Sequence, residues 1–184
     1  RRQRQMCIRD RYRSYMDKVC ISLENGSKIN LELFREYAPL TVENFLSLVK
    51  DGFYDGLCFH RVISDFMIQG GGFTHDAGGL RPKKAPRTVK GEFAANGVSN
   101  PLRHTPGVIS MARTSYPDSA SSQFFICVEE LPYLDGQYAA FGQTSDEESL
   151  KTAIEISKSS TGQTGGYGDV PLKPVVIKSV RIID

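Results

Sequence analysis

Phe59-His60-Arg61-Val62-Ile63-Ser64-Asp65-Phe66-Met67-Ile68-Gln69-Gly70-Gly71-Gly72 carries the strongest structural signal in the chain. Phe59, Arg61 and Ile63 fall on one side of an extended chain, His60 and Val62 on the other. After Ser64-Asp65, Phe66 and Ile68 oppose Met67 and Gln69. Period-two alternation among aromatic and β-branched residues predicts two short strands joined by a tight turn. The three glycines at the end let the backbone turn sharply or approach another group closely. Within this apolar hairpin stands Arg61, always charged, with five donors in a planar fork. Two readings are open. Arg61 snorkels to water from an edge strand, or it is a donor aimed into an apolar pocket floored by Phe66 and Met67, with Gln69 as its partner across the hairpin.

On the N-terminal side, residues 18–24 and 28–33 alternate about Asn25-Gly26, which predicts a β-hairpin. Behind Pro39, the stripe Leu40, Val42, Phe45, Leu46 and Val49 predicts a helix that ends at Asp51-Gly52 and turns its apolar face to the core. On the C-terminal side, residues 73–106 are rich in Gly, Pro, Lys and Arg. They read as a long surface loop with one short strand near 89–93. Residues 107–113 and 123–128 read as strands, separated by a polar turn over 115–122. Residues 133–138 form a loop leading into 139–142. Ser145 and Glu148 form a capping box for a second helix. Residues 161–168 read as a glycine-rich loop and 174–183 as a long final strand. Many short strands with two helices imply an antiparallel sheet that must close or be covered.

The chain has 184 residues, 40% hydrophobic and 24% charged, which suits one soluble domain. No apolar run reaches membrane-spanning length. The net charge of +2 hides an asymmetry. Six of the 23 basic side chains and one of the 21 acidic ones lie in residues 1–15, so this leader carries +5 and the remainder −3. The leader lacks a secretory apolar region and shares no pattern with the rest of the chain. It reads as a non-native or disordered basic segment, with Met16 as the natural start and residues 16–184 as the domain. The mildly acidic body does not predict nucleic-acid binding. Cys7, Cys20, Cys58 and Cys127 are far apart and lack zinc spacing. Asn25-Gly26-Ser27 is a turn rather than a glycosylation site. A reduced, cytoplasmic setting accounts for the free thiols.

Nucleophile elbows, Walker loops and dinucleotide fingerprints are missing from the sequence. His60, His75 and His104 lack metal-ligand spacing and read as surface or hydrogen-bonded structural histidines. Chemistry at this site needs no covalent intermediate, metal or cofactor on this reading.

Phe59-His60-Arg61-Val62-Ile63 together with Phe66-Met67-Ile68-Gln69-Gly70-Gly71 closely resembles the signature of the cyclophilins, the cyclosporin-binding peptidyl-prolyl isomerases. Gly107-Val108-Ile109-Ser110-Met111-Ala112, Ser122-Gln123-Phe124-Phe125-Ile126, Leu134-Asp135-Gly136 and Phe141-Gly142 are similar to further family blocks in the same order. The likeness runs from about Met16 to the C-terminus, and the variant details resemble small bacterial members. It implies a mainly β fold: a closed eight-stranded antiparallel β-barrel capped by two α-helices. It implies a monomeric peptidyl-prolyl cis-trans isomerase that assists folding, acting on X-Pro bonds in proline-containing peptides and unfolded protein clients. A non-catalytic binding module or chaperone for proline segments is the alternative.

The resemblance also assigns roles. Arg61 corresponds to the catalytic arginine, and Phe66, Met67, Phe125 and Leu134 to the proline pocket. Gln69, Ala112 and Gln123 correspond to substrate backbone contacts and support for the arginine. Tyr133 stands where the family often has tryptophan, Tyr138 where it has histidine, and Arg113 where asparagine is common. These substrate-site departures imply reduced affinity for cyclosporin and an altered peptide preference.

Overall fold

The computed structural model describes residues 17–184. The basic leader and the Met16 start lie outside the described residues.

Strands β1 (Asp17–Leu23) and β2 (Lys28–Leu33) form the predicted hairpin, each burying every second side chain. Val19, Ile21, Ile29 and Leu31 are fully buried on its inner face. Helix α1 (Pro39–Lys50) comes next, with Pro39 in its first turn. Its start is closed from a distance: the backbone N–H and the hydroxyl of Thr41 both donate to Glu92 Oε1, at 2.6 and 2.7 Å. A buried carboxylate there satisfies donors that the helix itself cannot and sits at the positive end of its dipole.

The central hairpin appears as β3 (Phe59–Ile63) and β4 (Met67–Gly70), with Asp65 at positive φ in the turn. Residues 73–106, expected to be one long loop, contain a further hairpin of β5 (Phe73–Asp76) and β6 (Gly79–Pro82). The strand expected near 89–93 is absent. Val89 donates to Ala120 O, and Gly91 to the Asp118 carboxylate, so these amides bond outside any ladder.

Strands β7 (Val108–Met111), β8 (Phe124–Cys127) and β9 (Ala140–Thr144) complete the middle of the sheet. Helix α2 (Glu147–Ser157) is capped one residue later than the capping box predicts. Asp146, not Ser145, accepts from the Ser149 N–H, at 2.7 Å. Asn30 on β2 binds the other Asp146 oxygen, which ties the cap to the sheet. The expected glycine-rich loop is a hairpin, β10 (Thr161–Thr164) and β11 (Tyr167–Pro171). It turns at Gly165-Gly166, both at positive φ, as a tight two-residue turn requires. β12 (Ile177–Ile183) returns alongside β1.

Eight strands form one antiparallel sheet in the order β12-β1-β2-β9-β7-β8-β4-β3. The fold is mainly β with two helices, as expected, but the ladder does not close fully. The edge strands β3 and β12 are joined only by the isolated bridge Cys58↔Val176 and by flanking bonds such as Ile177 N–H to Leu57 O, at 2.7 Å. Inside the curved sheet, Phe45, Tyr54, Phe124 and Phe141 pack ring against ring. Tyr54 donates its hydroxyl to Ser122 O, and burial pushes its pKa up. Among the described residues no helix is long and apolar enough to cross a membrane.

Candidate active site

Strand β8 is apolar throughout, and all four of its residues are buried. The reason is that both faces of the sheet are covered here. Phe124 and Ile126 enter the main core, whereas Phe125 and Cys127 face outward. There they join Met67 and Leu131 in a second, smaller apolar cluster, edged by Ile63, Phe66, Ala112, Leu134 and Tyr138.

Register carries this outer row across the strands. Arg61 pairs with Gln69, Gln69 with Phe125, and Phe125 with Ser110. Paired residues share a face, so one line across the sheet runs guanidinium, amide, phenyl ring, hydroxyl. A bulge between Phe59 and Arg61 corrects the simple alternation. Phe59 is buried in the core while Arg61 is exposed on the outer face, so the two do not share a side. Bulges re-aim side chains in this way.

The outer cluster is hollow. A cavity of about 200 Å³ is lined by Arg61, Phe66, Met67, Gln69, Ala112, Arg113, Phe125, Leu134 and Tyr138. Its scale falls below the roughly 300–1,000 Å³ of a drug-sized site. A larger hollow of about 480 Å³ lies between the β1–β2 turn, the end of α2 and residues 172–176. It contains neither Arg61 nor the aromatic floor, so the smaller cavity is the one with convergent chemistry.

Nine of the eleven residues singled out from the sequence line this cavity. The other two stand directly behind or beside it. Gln123 accepts from Gln69 Nε2 at 3.1 Å, and Gln69 Oε1 lies 3.4 Å from Arg61 Nη1. Tyr133 is 63% exposed at the rim, its ring parallel to Phe66 within 3° and 6.4 Å away. Arg113 is held between the rings of Phe93 and Tyr138, each 4.8 Å from its guanidinium carbon. It donates to the carbonyls of Gln137 and Thr114. The glycine run belongs to this packing rather than to a phosphate cradle. Gly71 has φ +89°, and a Cβ on Gly72 would lie 2.5 Å from the Gln123 side chain.

Sequence reasoning missed the polar support behind the floor. His104 stacks on Phe125, with ring centroids 5.9 Å apart and 14° between planes. One His104 ring nitrogen lies 3.0 Å from Asp135 Oδ1 and the other 2.9 Å from Ser110 Oγ. The His104 backbone N–H donates to the same Asp135 oxygen, and Leu131 N–H donates to His104 O. Burial pulls the His104 pKa down, partly offset by Asp135. A serine inside the apolar run of β7 was the available signal. His104 is thus a hydrogen-bonded structural histidine, as expected. His60 is not: it is buried, its Nδ1 has no partner among the described residues, and burial pulls its pKa down to about 4.

The molecule is thus a mainly β domain with an apolar hollow bordered by an exposed guanidinium. Residues 18–182 match the family model described as cyclophilin type peptidyl-prolyl cis-trans isomerase/CLD. The chain belongs to the cyclophilin-type peptidyl-prolyl cis-trans isomerase family. A peptidyl-prolyl cis-trans isomerase of Streptomyces antibioticus is 42% identical over 167 residues, covering 86% of this chain and 95% of the relative. Peptidyl-prolyl cis-trans isomerase A of Dickeya dadantii is 44% identical over 164 residues, with 86% and 81% covered. The crystal structure of a cyclophilin-type isomerase from Cryptosporidium parvum superposes with a TM-score of 0.72 at 29% identity, covering 92% of this chain and 99% of that one. The same protein solved in the presence of the dipeptide Ala-Pro gives 0.70 at 30% identity, with 91% and 99% covered.

Proposed function

We propose that the domain accelerates cis–trans rotation about X-Pro bonds in peptides and unfolded chains, with the Arg61 cavity as its active site. One observation carries this reading: an exposed guanidinium, braced by Gln69, borders a hollow small enough for one ring.

A prolyl amide is held planar by conjugation, and rotation costs roughly 20 kcal/mol. Twisting the bond localises the lone pair on the proline nitrogen. Phe66, Met67, Phe125 and Leu134 grip the ring by burying it. Arg61 donates to that nitrogen and so holds the twisted state better than either planar one, which is differential transition-state binding. Its only side-chain partner among the described residues is Gln69, which leaves most of its five donors for substrate. A donor already in place loses little on reorganisation. Gln69 and Gln123 orient the fork, and Ala112, Arg113 and Tyr138 border the path of the peptide backbone. No proton changes hands in this step.

The finer readings rest on the same site. Tyr133 offers no indole N–H at the rim, and Tyr138 is packed edge-on against Phe125 and under Arg113, which supports weakened cyclosporin binding. Cys20, Cys58 and Cys127 are free thiols, which fits a reducing, cytoplasmic setting. Burial pushes the pKa of Cys58 and Cys127 up to about 12 and so keeps those two unreactive. The large exposed apolar side chains are dispersed, with Leu40 on α1, Tyr116 in a loop, Tyr133 at the site rim, Tyr167 at the start of β11 and Leu172 just past its end, and Ile182 and Ile183 at the end of β12, and we read the domain as a monomer. The activity resides in residues 16–184, and the leader has no part in it.

The test is an NMR exchange assay on a proline tetrapeptide. Catalysed exchange that cyclosporin inhibits only at high concentration supports the proposal. Peptide binding without faster exchange would leave a binding module instead.

A further inference from the structure

From the end of β6 toward the 3-10 turn at Ala94–Asn96 runs Arg81-Pro82-Lys83-Lys84-Ala85-Pro86-Arg87-Thr88-Val89-Lys90, with five cations and no acid in ten residues. All five cationic residues are exposed. Ala85 and Val89 are not: they are half-buried and pack on the main core. The segment is therefore a strap, fastened by its small apolar residues and presenting its charge outward. Backbone bonds fix both ends. Lys83 N–H donates to Gly72 O and Val89 N–H to Ala120 O, each at 2.8 Å. Lys83 Nζ is also committed, donating to Phe53 O and lying 4.3 Å over the Phe53 ring.

Those fastenings place the strap beside the cavity. Gly72 is packed against Gln123, which joins Gln69 and then Arg61. At the other end, Ala120 belongs to the segment that begins at Arg113 on the cavity wall. The acids nearby are spoken for. Asp76 faces Arg81 at 3.9 Å, and Asp118 accepts from Gly91 and Asn96 while feeling Lys90. Lys84 and Arg87 have no ion-pair partner among the described residues. The net −3 of the body after the leader thus conceals a concentrated positive surface next to the site.

We propose that this strap is a docking rail for acidic residues flanking the proline of a client, so that the domain favours X-Pro bonds in acidic segments. The inference rests on the isomerase reading, because the cavity decides that the polyanion beside the strap is a polypeptide. Exposed ion pairs contribute little singly and are screened by salt, so two or three of them give a modest, salt-sensitive preference.

The experiment uses peptides with the core Gly-Ala-Ala-Pro-Phe-Gly: unextended, extended by three glutamates at one end or the other, and extended likewise by three lysines. KM is measured by NMR exchange at low and high salt. For one glutamate extension KM falls by about three- to tenfold against the core at low salt, and the gain disappears in high salt. In the double variant Lys84→Glu, Arg87→Glu the order of acidic and basic peptides reverses while the core peptide turns over as before. Equal KM for all peptides, or an acidic preference that survives the double variant, would overturn the proposal. A chain that turns over no peptide removes the isomerase reading, and fluorescence titration of the same peptides still reads the strap. A thymidine oligonucleotide that competes as well as the acidic peptide would make the strap a general polyanion surface and overturn the peptide assignment.

Discussion

Gln69 Nε2 donates to Gln123 Oε1 across 3.1 Å, and this bond fixes which end of the Gln69 amide faces Arg61. With its nitrogen engaged by Gln123, Gln69 turns its oxygen to the guanidinium. The expected cost of Gln69→Ala is about tenfold in kcat/KM, the scale of one hydrogen bond to a charged group. Stability should change little, because the pair stands outside the core. Steady-state kinetics with a melting curve separates the two, and a large drop in melting temperature with unchanged turnover would contradict this assignment.

Phe125 is the floor of the hollow and also a structural ring, 5% exposed between His104 and Tyr138. Phe125→Ala should weaken peptide binding by tenfold or more, about 1.4 kcal/mol or above. It should also destabilise the fold by about 3 kcal/mol through the cavity left behind. Phe125→Leu keeps much of the volume and restores stability before it restores affinity. Chemical-shift titration reads the binding, and equal affinity in the alanine variant would count against the floor.

Asp135 holds His104 at two points, the ring and the backbone N–H. Asp135→Ala leaves both donors without that acceptor in a buried place, at a cost of about 1–3 kcal/mol. Because Leu134 and Tyr138 sit on the same short segment, the variant should also shift the resonances of the pocket rings. Urea unfolding gives the first number and aromatic NMR spectra the second; wild-type spectra in the variant would show that the clamp does not reach the site.

The buried His60 links stability to pH. Its folded pKa, about 4, lies below the ordinary value of 6.5 because burial disfavours the charged ring. As pH falls below 6.5 the unfolded chain takes up a proton at His60 and the folded chain does not, so stability drops until about pH 4. The size is roughly 3 kcal/mol across that window. Other acid-linked groups, Asp55 and Asp146 among them, contribute to the same fall. The discriminating quantity is therefore the difference between wild type and His60→Gln, which should shift in favour of the variant as pH falls from 7 to 4.5. A pH-independent difference would contradict the assignment.

The site was legible in the sequence to an unusual degree, and for a physical reason. Arg61 and Gln69 face each other because the three-residue turn Ser64-Asp65-Phe66, with Asp65 at positive φ, pairs Ile63 with Met67, and period-two alternation carries that register back to Arg61 and Gln69. What alternation could not reveal was the bulge that separates Phe59 from Arg61. Nor could the uniformly apolar β8 show its two faces, since burial on both sides erases the period. The His104, Ser110 and Asp135 assembly was invisible for another reason. His104 and Asp135 stand 31 positions apart, and each polar residue alone reads as surface. The same holds for Glu92, which caps a helix 51 residues earlier in the chain. The missed hairpin at Gly165-Gly166 is different: its turn signal was present, but the polar strands around it carry no apolar period.

The most direct test of the central claim is the rate of catalysed exchange on a proline tetrapeptide by Arg61→Ala, with the fold checked by its backbone spectrum. Loss of one donor aimed at developing charge predicts a fall in kcat/KM of about a hundredfold or more, with the spectrum preserved. Turnover at the wild-type rate in a folded Arg61→Ala protein would contradict the account.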